Sequence, residues 1–362
     1  MVADVTVVGA GIVALTSALA LADRGAAVRL VGTSHRGEAS EAAGGLLTPS
    51  VEPELRAIAP LAHAARDYYP NYVAMLEERS GIAIWLNRNG SLQLARTDAE
   101  AETLRSEGSN EGSAEFPESK WLSASDVVAL EPALGHVVGA VYAPNDGCVD
   151  PLLVLDALRR VISTHSNITV ASENACNIHV SSSECEVITD REGHYGSGSL
   201  VLAAGAWTPT IAELPMALPV EPVKGQMLAF GAAPVRHVTF GAGGYLVPKA
   251  TGQTVAGSTL EHVGFDADVT DDGIASIRAM AGTVCPALAS APVRATWAGL
   301  RPMTPDLLPI IGADPSDARI VYACGHSRNG ILLAPITAEA VADLATGRTP
   351  AHDLGRFRPG RF

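Results

Sequence analysis

The sequence is short of the features that mark several large classes of protein. Its five cysteines, Cys148, Cys176, Cys185, Cys285 and Cys324, are scattered without a CxxC pair, so neither a zinc or other metal site nor a disulfide framework is expected, and a reducing cytoplasm fits. Basic residues are scarce and unclustered: 25 Lys and Arg stand against 39 Asp and Glu, for a formal charge of −14. A nucleic-acid partner needs a basic face for its phosphates, so none is expected, and a solvated acidic surface accounts for the charge. No apolar run reaches the roughly 18 residues of a membrane span. The first strand begins within a few residues of Met1, which leaves no room for a signal peptide. Neither an internal repeat nor a low-complexity tract is present.

Nearly half of the 362 residues are apolar, enough for a large core and a length that suggests two domains. From Val5 to Val31 the order is buried strand, glycine turn, apolar helix closed by Gly25, and second strand Val28-Arg29-Leu30-Val31, the opening of a βαβ unit. In the turn "GAGIVA", Gly9 makes the tight bend, Gly11 allows close approach of a pyrophosphate, and Ala14 keeps the helix close, with the helix N-terminus facing the phosphates. One part of this dinucleotide pattern is missing. An Asp or Glu usually ends the second strand and accepts the ribose hydroxyls; here Gly32 follows Val31, and the nearest candidates are Thr33, Ser34, His35 and Arg36. Thr33, Ser34 or nearby backbone amides are expected to take over, with Arg36 near the adenosine.

Further on, "EASEAAGGLLTP" is rich in small residues that would let a backbone approach a ligand, or would serve plain helix packing. The acidic stretch 97–119 reads as a surface helix and loop. In "DGCVDPLLVLDALRRVI", Asp150 is a helix cap with Pro151 at the first helical position. "GSLVLAAGAWTP" is a fully buried strand. "VEPVKGQMLAF", "GYLVPKATGQTVAGST" and "VRATWAGLRPMTPDLLPIIG" read as antiparallel strands and turns, and "ARIVYACGHSRNGILLAPITAEAVADLA" as strand, glycine-rich turn and apolar helix. The nucleotide domain is therefore expected to be discontinuous, from 1–50, 140–215 and 300–362, with 51–139 and 216–299 forming the second domain.

Five motifs, "VVGAGIVALTSALALADRG", "SEAAGGLLTP", "SLVLAAGAWTP", "WAGLRPMTPDLLPIIG" and "ACGHSRNGILLAP", occur in an order that resembles the D-amino-acid oxidase-like family of FAD-dependent oxidases and dehydrogenases, most of all its glycine oxidase branch. The resemblance spans nearly the whole chain. It implies an α/β fold with a glutathione-reductase-type FAD-binding Rossmann domain and a mostly antiparallel, α+β substrate domain. The cysteine that carries flavin in some relatives aligns with Gly299, so FAD is expected to bind without a covalent bond.

By position, the resemblance assigns Gly9, Gly11, Ile12, Val13 and Ala14 to the pyrophosphate, and Ser40, Ala42, Ala43, Gly44, Gly45 and Leu46 to the path of the flavin. Ala204 and Gly205 would pass the cofactor, Trp207 would lie on the flavin side, and Asn177 or Cys176 would hold the adenine. Gly325, Asn329, Gly330, Ile331 and Leu332 complete the cofactor set together with Arg301 and Arg328. A helix starting at Asn329-Gly330 has a physical reason: its amides and dipole would favour negative charge on the reduced flavin.

For the substrate the resemblance implies Tyr245, Arg301 and Arg328. The Arg301 guanidinium would take a carboxylate in a two-pronged pair, Tyr245 would add a hydroxyl, and Arg328 would lie beside substrate and flavin. The implied reaction is hydride transfer from an amine α-carbon to flavin, hydrolysis of the imine, and reoxidation by dioxygen to hydrogen peroxide, with no dedicated base required. Gly45 would also border the substrate pocket. Gly243 and Gly244 beside Tyr245, with Leu260, would leave room beyond the amine nitrogen for an N-substituted glycine with an apolar tail, cleaved to glyoxylate and a primary amine; loop glycines with no bearing on substrate size are the alternative. Glycine itself and a D-amino-acid or sarcosine-type dehydrogenase subunit passing electrons to another acceptor remain open. An NAD(P)-dependent dehydrogenase would share only the first motif. The amine, its pathway and the oligomeric state do not follow from the sequence, and a homo-oligomer is left open.

Overall fold

Two eight-stranded sheets organise the computed structural model, which describes residues 3–108 and 119–362. In the first, β1 (Ala3–Val8) is central. It runs parallel to β2 (Val28–Val31) on one side and to the strand His194–Leu202 on the other, and Ile168–Ala171 and Ile320–Cys324 extend the parallel core. Such strands are covered on both faces, so they read as continuous apolar runs rather than alternating ones. Val5, Val7 and Val8 of β1 are all buried. An antiparallel hairpin, Ala175–Val180 with Cys185–Thr189, adds to one side. This is the Rossmann-type arrangement expected.

Helix α1 (Ile12–Asp23) connects β1 to β2 and is buried on most of its surface, because it is packed between this sheet and the helices Gly330–Ala345 and Pro151–Thr164. The last of these begins as its sequence dictates, with Pro151 at its first position and the Asp150 carboxylate accepting from Leu152 N at 3.0 Å and Leu153 N at 3.4 Å. Helix Gly330–Ala345 contains Pro335, which cannot donate to the carbonyl of Ile331 four residues back. The Tyr69 hydroxyl, from helix Ala59–Ser80, donates to that carbonyl at 2.6 Å and repairs the helix from outside.

The second sheet has the order Val293–Met303, Glu221–Phe230, Thr254–Gly257, Gly244–Pro248, Val238–Gly241, Ser91–Ala95, Gly139–Ala143, Lys120–Ser123. All pairs are antiparallel except Val238–Gly241 with Ser91–Ala95. Helix Asp271–Val284, capped by the Thr270 hydroxyl, packs Ile277, Ala281 and Val284 against Leu228, Phe230 and Leu246. The expected breaks at 139/140 and 299/300 both fall inside strands of this sheet, Gly139–Ala143 and Val293–Met303.

Helix Asp98–Gly108 covers the start of the acidic stretch; the rest of that expected surface loop, with Phe116, lies outside the described residues. Among the described residues, no helix is long and apolar enough to cross a membrane.

Candidate functional site

The C-terminal end of β1 and the start of α1 open onto a cavity of about 440 Å³ that runs between the two sheets. Its phosphate end is built by backbone interlock. Gly9 has φ of +132°, and a Cβ there would stand 2.4 Å from the Ala203 carbonyl oxygen. Its N–H donates to Val31 O at 2.9 Å. A Cβ on Gly32 would lie 2.5 Å from both the carbonyl carbon and oxygen of Gly9. The absence of an acid after β2 thus has a packing cause: no side chain fits where the strand end meets the turn.

A carboxylate reaches the cavity from further along. Glu38 is 9% exposed and lines the cavity; the Ser34 hydroxyl donates to its Oε2 at 2.8 Å, while Oε1 is buried with no hydrogen-bond partner among the described residues. Burial raises its pKa above the ordinary carboxylate value, opposed by the Ser34 bond. Beside it, the Ser40 hydroxyl accepts from Ile12 N at 3.0 Å, at the mouth of α1.

Of the residues expected to hold the cofactor, Gly9, Gly11, Ile12, Val13, Thr33, Ser40, Ala42, Ala43, Gly44, Gly45, Leu46, Ala204, Gly205, Trp207, Arg301, Gly325, Arg328, Gly330 and Ile331 line this cavity. Ala14 is fully buried beneath the turn, against the position of a Gly9 Cβ. Leu332 is in the apolar core, and Asn329 is buried at the start of its helix. Ser34, Arg36 and Asn177 do not line the cavity, while Cys176, the alternative to Asn177, does. Arg36 points outward and pairs with Asp268, so it is not brought to the cavity. The ladder shifts register between Ala175 and Asn177, bridging Asn177 to Ala212, and it is Asn174, Ala175 and Cys176 that face the cavity. Trp207 stacks on His35, just past β2, with ring centroids 4.5 Å apart and planes at 13°, and its other neighbour is Phe265 at 5.5 Å. The end of the second strand is where a Rossmann-type fold holds the adenosine ribose, and Trp207 packs on that end of the cavity.

At the opposite end, helix Gly330–Ala345 starts at Asn329 without a side-chain cap, and Gly330 and Ile331 face the cavity. His326, which sequence reasoning passed over, lines the same end; it is 3% exposed, its Nε2 is 3.0 Å from the Thr337 hydroxyl, and burial pushes its pKa down to about 4. It is neutral at pH 7.

A second cavity, of about 610 Å³, meets the first at Tyr245, Arg301 and Arg328, which line both. Strand pairing sets Arg301 opposite Val223 and Gly299 opposite Gly225, so the Arg301 side chain lies over Gly225. A Cβ on Gly225 would be 2.0 Å from Arg301 Nη2. Arg301 donates to the carbonyls of Lys224 and Thr259 at 3.3 and 3.2 Å and to Ser258 Oγ at 2.6 Å. Burial lowers its pKa from the ordinary value; Tyr245 opposes this and the charge of Arg328 adds to it. Tyr245 is 7% exposed.

The pocket continues past Gly243, Gly244 and Leu260 to Leu94, Ala99, Leu104 and Phe240. Gly243 has open space where a Cβ would stand, whereas a Cβ on Gly244 would be 2.6 Å from Gly257 O. Gly45 has φ of +82° and packs on Val149 O; it borders the first cavity and does not line the second. Glu52, also missed from sequence, lines the second cavity, and Arg328 Nη2 stands 3.7 Å from its Oε2. An acid beside a proline in irregular chain gives no signal by spacing.

The first cavity fits a dinucleotide in its details: glycines at both ends of the turn, a helix N-terminus at each end, and the stacked rings of Trp207 and His35 past β2. Comparison with known proteins agrees. A family model described as FAD dependent oxidoreductase matches residues 4–344. The glycine oxidase of Pseudomonas putida is 32% identical, over 98% of this chain and 98% of that protein. The crystal structure of glycine oxidase from Geobacillus kaustophilus superposes with a TM-score of 0.90 at 31% identity, over 99% of both chains. That of iminodiacetate oxidase from Chelativorans sp. BNC1 does so with a TM-score of 0.88 at 26% identity, over 98% of both.

Proposed function

The chain belongs to the FAD-dependent oxidoreductases of the D-amino-acid oxidase-like family, and from that membership we propose an amine oxidase of the glycine oxidase type whose substrate is an N-substituted glycine. One observation carries the substrate reading: Tyr245, Arg301 and Arg328 stand where the two cavities meet, and beyond them the second cavity leaves far more space than glycine would fill.

In this reading Arg301, held by Ser258 and seated on Gly225, takes the substrate carboxylate, and the Tyr245 hydroxyl supports it. A carboxylate fixed at the junction turns the α-carbon toward the first cavity and the amine substituent toward Phe240 and Leu94. FAD, when bound, supplies the two-electron acceptor for the α-carbon's hydride. Gly9, Gly11, Ser40 and the N-terminus of α1 would hold its pyrophosphate, Glu38 would offer the carboxylate for the ribose, and the amides at Gly330 and Ile331 would favour negative charge at the ring. A side chain at Gly299 would meet Ala42 Cβ at 2.4 Å, consistent with a cofactor held without a covalent bond. The amine enters deprotonated, so the chain need only orient it and exclude water. Water then cleaves the imine to glyoxylate and a primary amine, with dioxygen consumed and hydrogen peroxide formed. In this reading the segments 1–50, 140–215 and 300–362 make up the FAD domain except at two ends, since residues 140–143 and 300–303 pair inside the second sheet and belong with the substrate domain.

Peroxide release measured with glycine, sarcosine, D-alanine and longer N-alkyl glycines tests this. Turnover of the N-alkyl glycines above that of glycine is expected. Fast oxidation of free glycine with none of the longer amines would overturn it.

A further inference from the structure

Glu52 is an acid in the substrate cavity that the reaction above does not use. It is 4% exposed, and the fully buried Thr48 hydroxyl donates to its Oε1 at 3.0 Å. That bond fixes the carboxylate from one side. Its other oxygen faces Arg328 Nη2 at 3.7 Å, and both residues line the second cavity. The two guanidinium groups at the junction therefore stand in different electrostatic surroundings. Arg301 donates to neutral acceptors, two carbonyls and a hydroxyl, and keeps its charge for an incoming anion. Arg328 has a carboxylate beside it inside the pocket.

The rest of the cavity adds no cation among the described residues. Its outer wall is Leu94, Ala99, Leu104 and Phe240, and its one further charged residue is Glu100, which accepts from the backbone amides of Arg96 and Thr97. A ligand with one carboxylate satisfies Arg301. A ligand with a second carboxylate on the amine nitrogen would bring it against Glu52 or into the apolar wall, at a desolvation cost with no free cation to offset it.

We propose that Glu52, by pairing with Arg328, determines which charge the pocket accepts: N-substituted glycines with an uncharged substituent are taken, and those with a second carboxylate are rejected. This rests on the N-substituted glycine reading and adds to it the charge of the tail. Glu52 acts here through Arg328 as a specificity residue. Rejection of this kind works by placing repulsion against the wrong ligand as well as attraction toward the right one.

The test uses the full-length, FAD-loaded enzyme and its Glu52→Gln variant, in which the amide keeps the Thr48 bond but loses the charge. Peroxide release gives kcat/KM for N-ethylglycine and for iminodiacetate, and flavin absorbance gives Kd for propionate and for malonate. Glu52→Gln is expected to raise the iminodiacetate to N-ethylglycine ratio about tenfold or more and to tighten malonate relative to propionate, while Glu52→Asp leaves both ratios near wild type. Glu52→Ala, which removes the carboxylate altogether, is expected to move them in the same direction and decides the matter if Glu52→Gln fails to load flavin. Unchanged ratios in a variant that still binds propionate would overturn the proposal. If the wild type oxidises glycine and no N-substituted glycine, the substrate reading fails on its own, and the malonate to propionate comparison still decides the role of Glu52.

Discussion

Replacing Gly32 by Ala is expected to cost the protein its cofactor, and replacing it by Asp to cost the same, although Asp restores the acid that dinucleotide sites usually carry. A Cβ at position 32 would stand 2.5 Å from Gly9 C and O and 3.0 Å from Ala10 N. All three are backbone atoms, so no side-chain rotation relieves the contact and the turn itself must move. Overpacking of this kind costs about 1–3 kcal/mol. Gly9 has no slack to absorb the shift, because its own Cα faces Ala203 O and its N–H is committed to Val31 O at 2.9 Å. The strain therefore falls on the turn that would receive the pyrophosphate, and the same energy read as affinity weakens FAD roughly ten- to hundredfold. Titration of apoprotein with FAD, followed by quenching of flavin fluorescence, gives Kd, and thermal unfolding of the apoprotein reports the strain separately. If Gly32→Ala binds FAD with wild-type affinity, the interlock argument is wrong. If Gly32→Asp binds more tightly than both, the missing acid was a true deficit.

Three other perturbations follow from named contacts. Gly225→Ala drives the Arg301 guanidinium from its seat, since the new Cβ would be 2.0 Å from Nη2; kcat/KM is expected to fall about a hundredfold while FAD content and Tm stay near wild type. Tyr69→Phe removes the donor to Ile331 O that stands in for the N–H missing at Pro335, and chemical denaturation should show a loss of about 1–3 kcal/mol. His326 is held neutral with its pKa lowered from 6.5 to about 4. The unfolded chain binds this proton first, so the stability His326 contributes is full above about pH 6.5 and is lost as pH falls toward 4. Between pH 7 and pH 5 the wild type should lose about 2 kcal/mol more than His326→Gln; the comparison with the variant is needed because Asp146, raised to about 6 by burial, shifts stability the opposite way in that window.

The Rossmann half was readable because its chemistry is local. Parallel strands covered on both faces give apolar runs, the glycine turn sits between strand and helix, and Asp150-Pro151 opens a helix by rules that span four residues. Arg301 and Tyr245 were reached through motif resemblance, since an arginine on a strand carries no signal of its own. Glu38, Glu52 and Gly225 were not legible. Glu52 takes its meaning from Arg328 and Gly225 from Arg301, partners distant in sequence that no periodicity connects, and Glu38 lies well past Gly32, the position at which the strand-end acid is looked for. The setting of Trp207 has the same origin: its indole is positioned by His35 and Phe265, from two other segments.

Small residues were the least decisive part of the sequence, because close approach of a ligand and close approach of the chain to itself select the same side chains. The structure separates the two. Gly45, Gly244 and Gly299 are each required by atoms of the protein, since a Cβ there would stand 2.0 Å from Val149 O, 2.6 Å from Gly257 O and 2.4 Å from Ala42 Cβ. Of the glycines expected in the substrate pocket, Gly243 alone leaves open space within 4 Å of where a Cβ would stand, and its φ is +81°. That makes it the position at which the tail of the substrate can be probed. Asn tolerates a positive φ better than other side chains, so Gly243→Asn places a polar group in the pocket with less backbone strain than other substitutions there would bring. Sarcosine, whose methyl stays near Tyr245, should keep its kcat/KM within about twofold, while N-butylglycine should lose about tenfold, the order of effect expected when a tail loses its apolar contacts. An equal loss for both would point to damage at Tyr245 instead, and no loss for either would mean that the tail leaves the pocket by another wall.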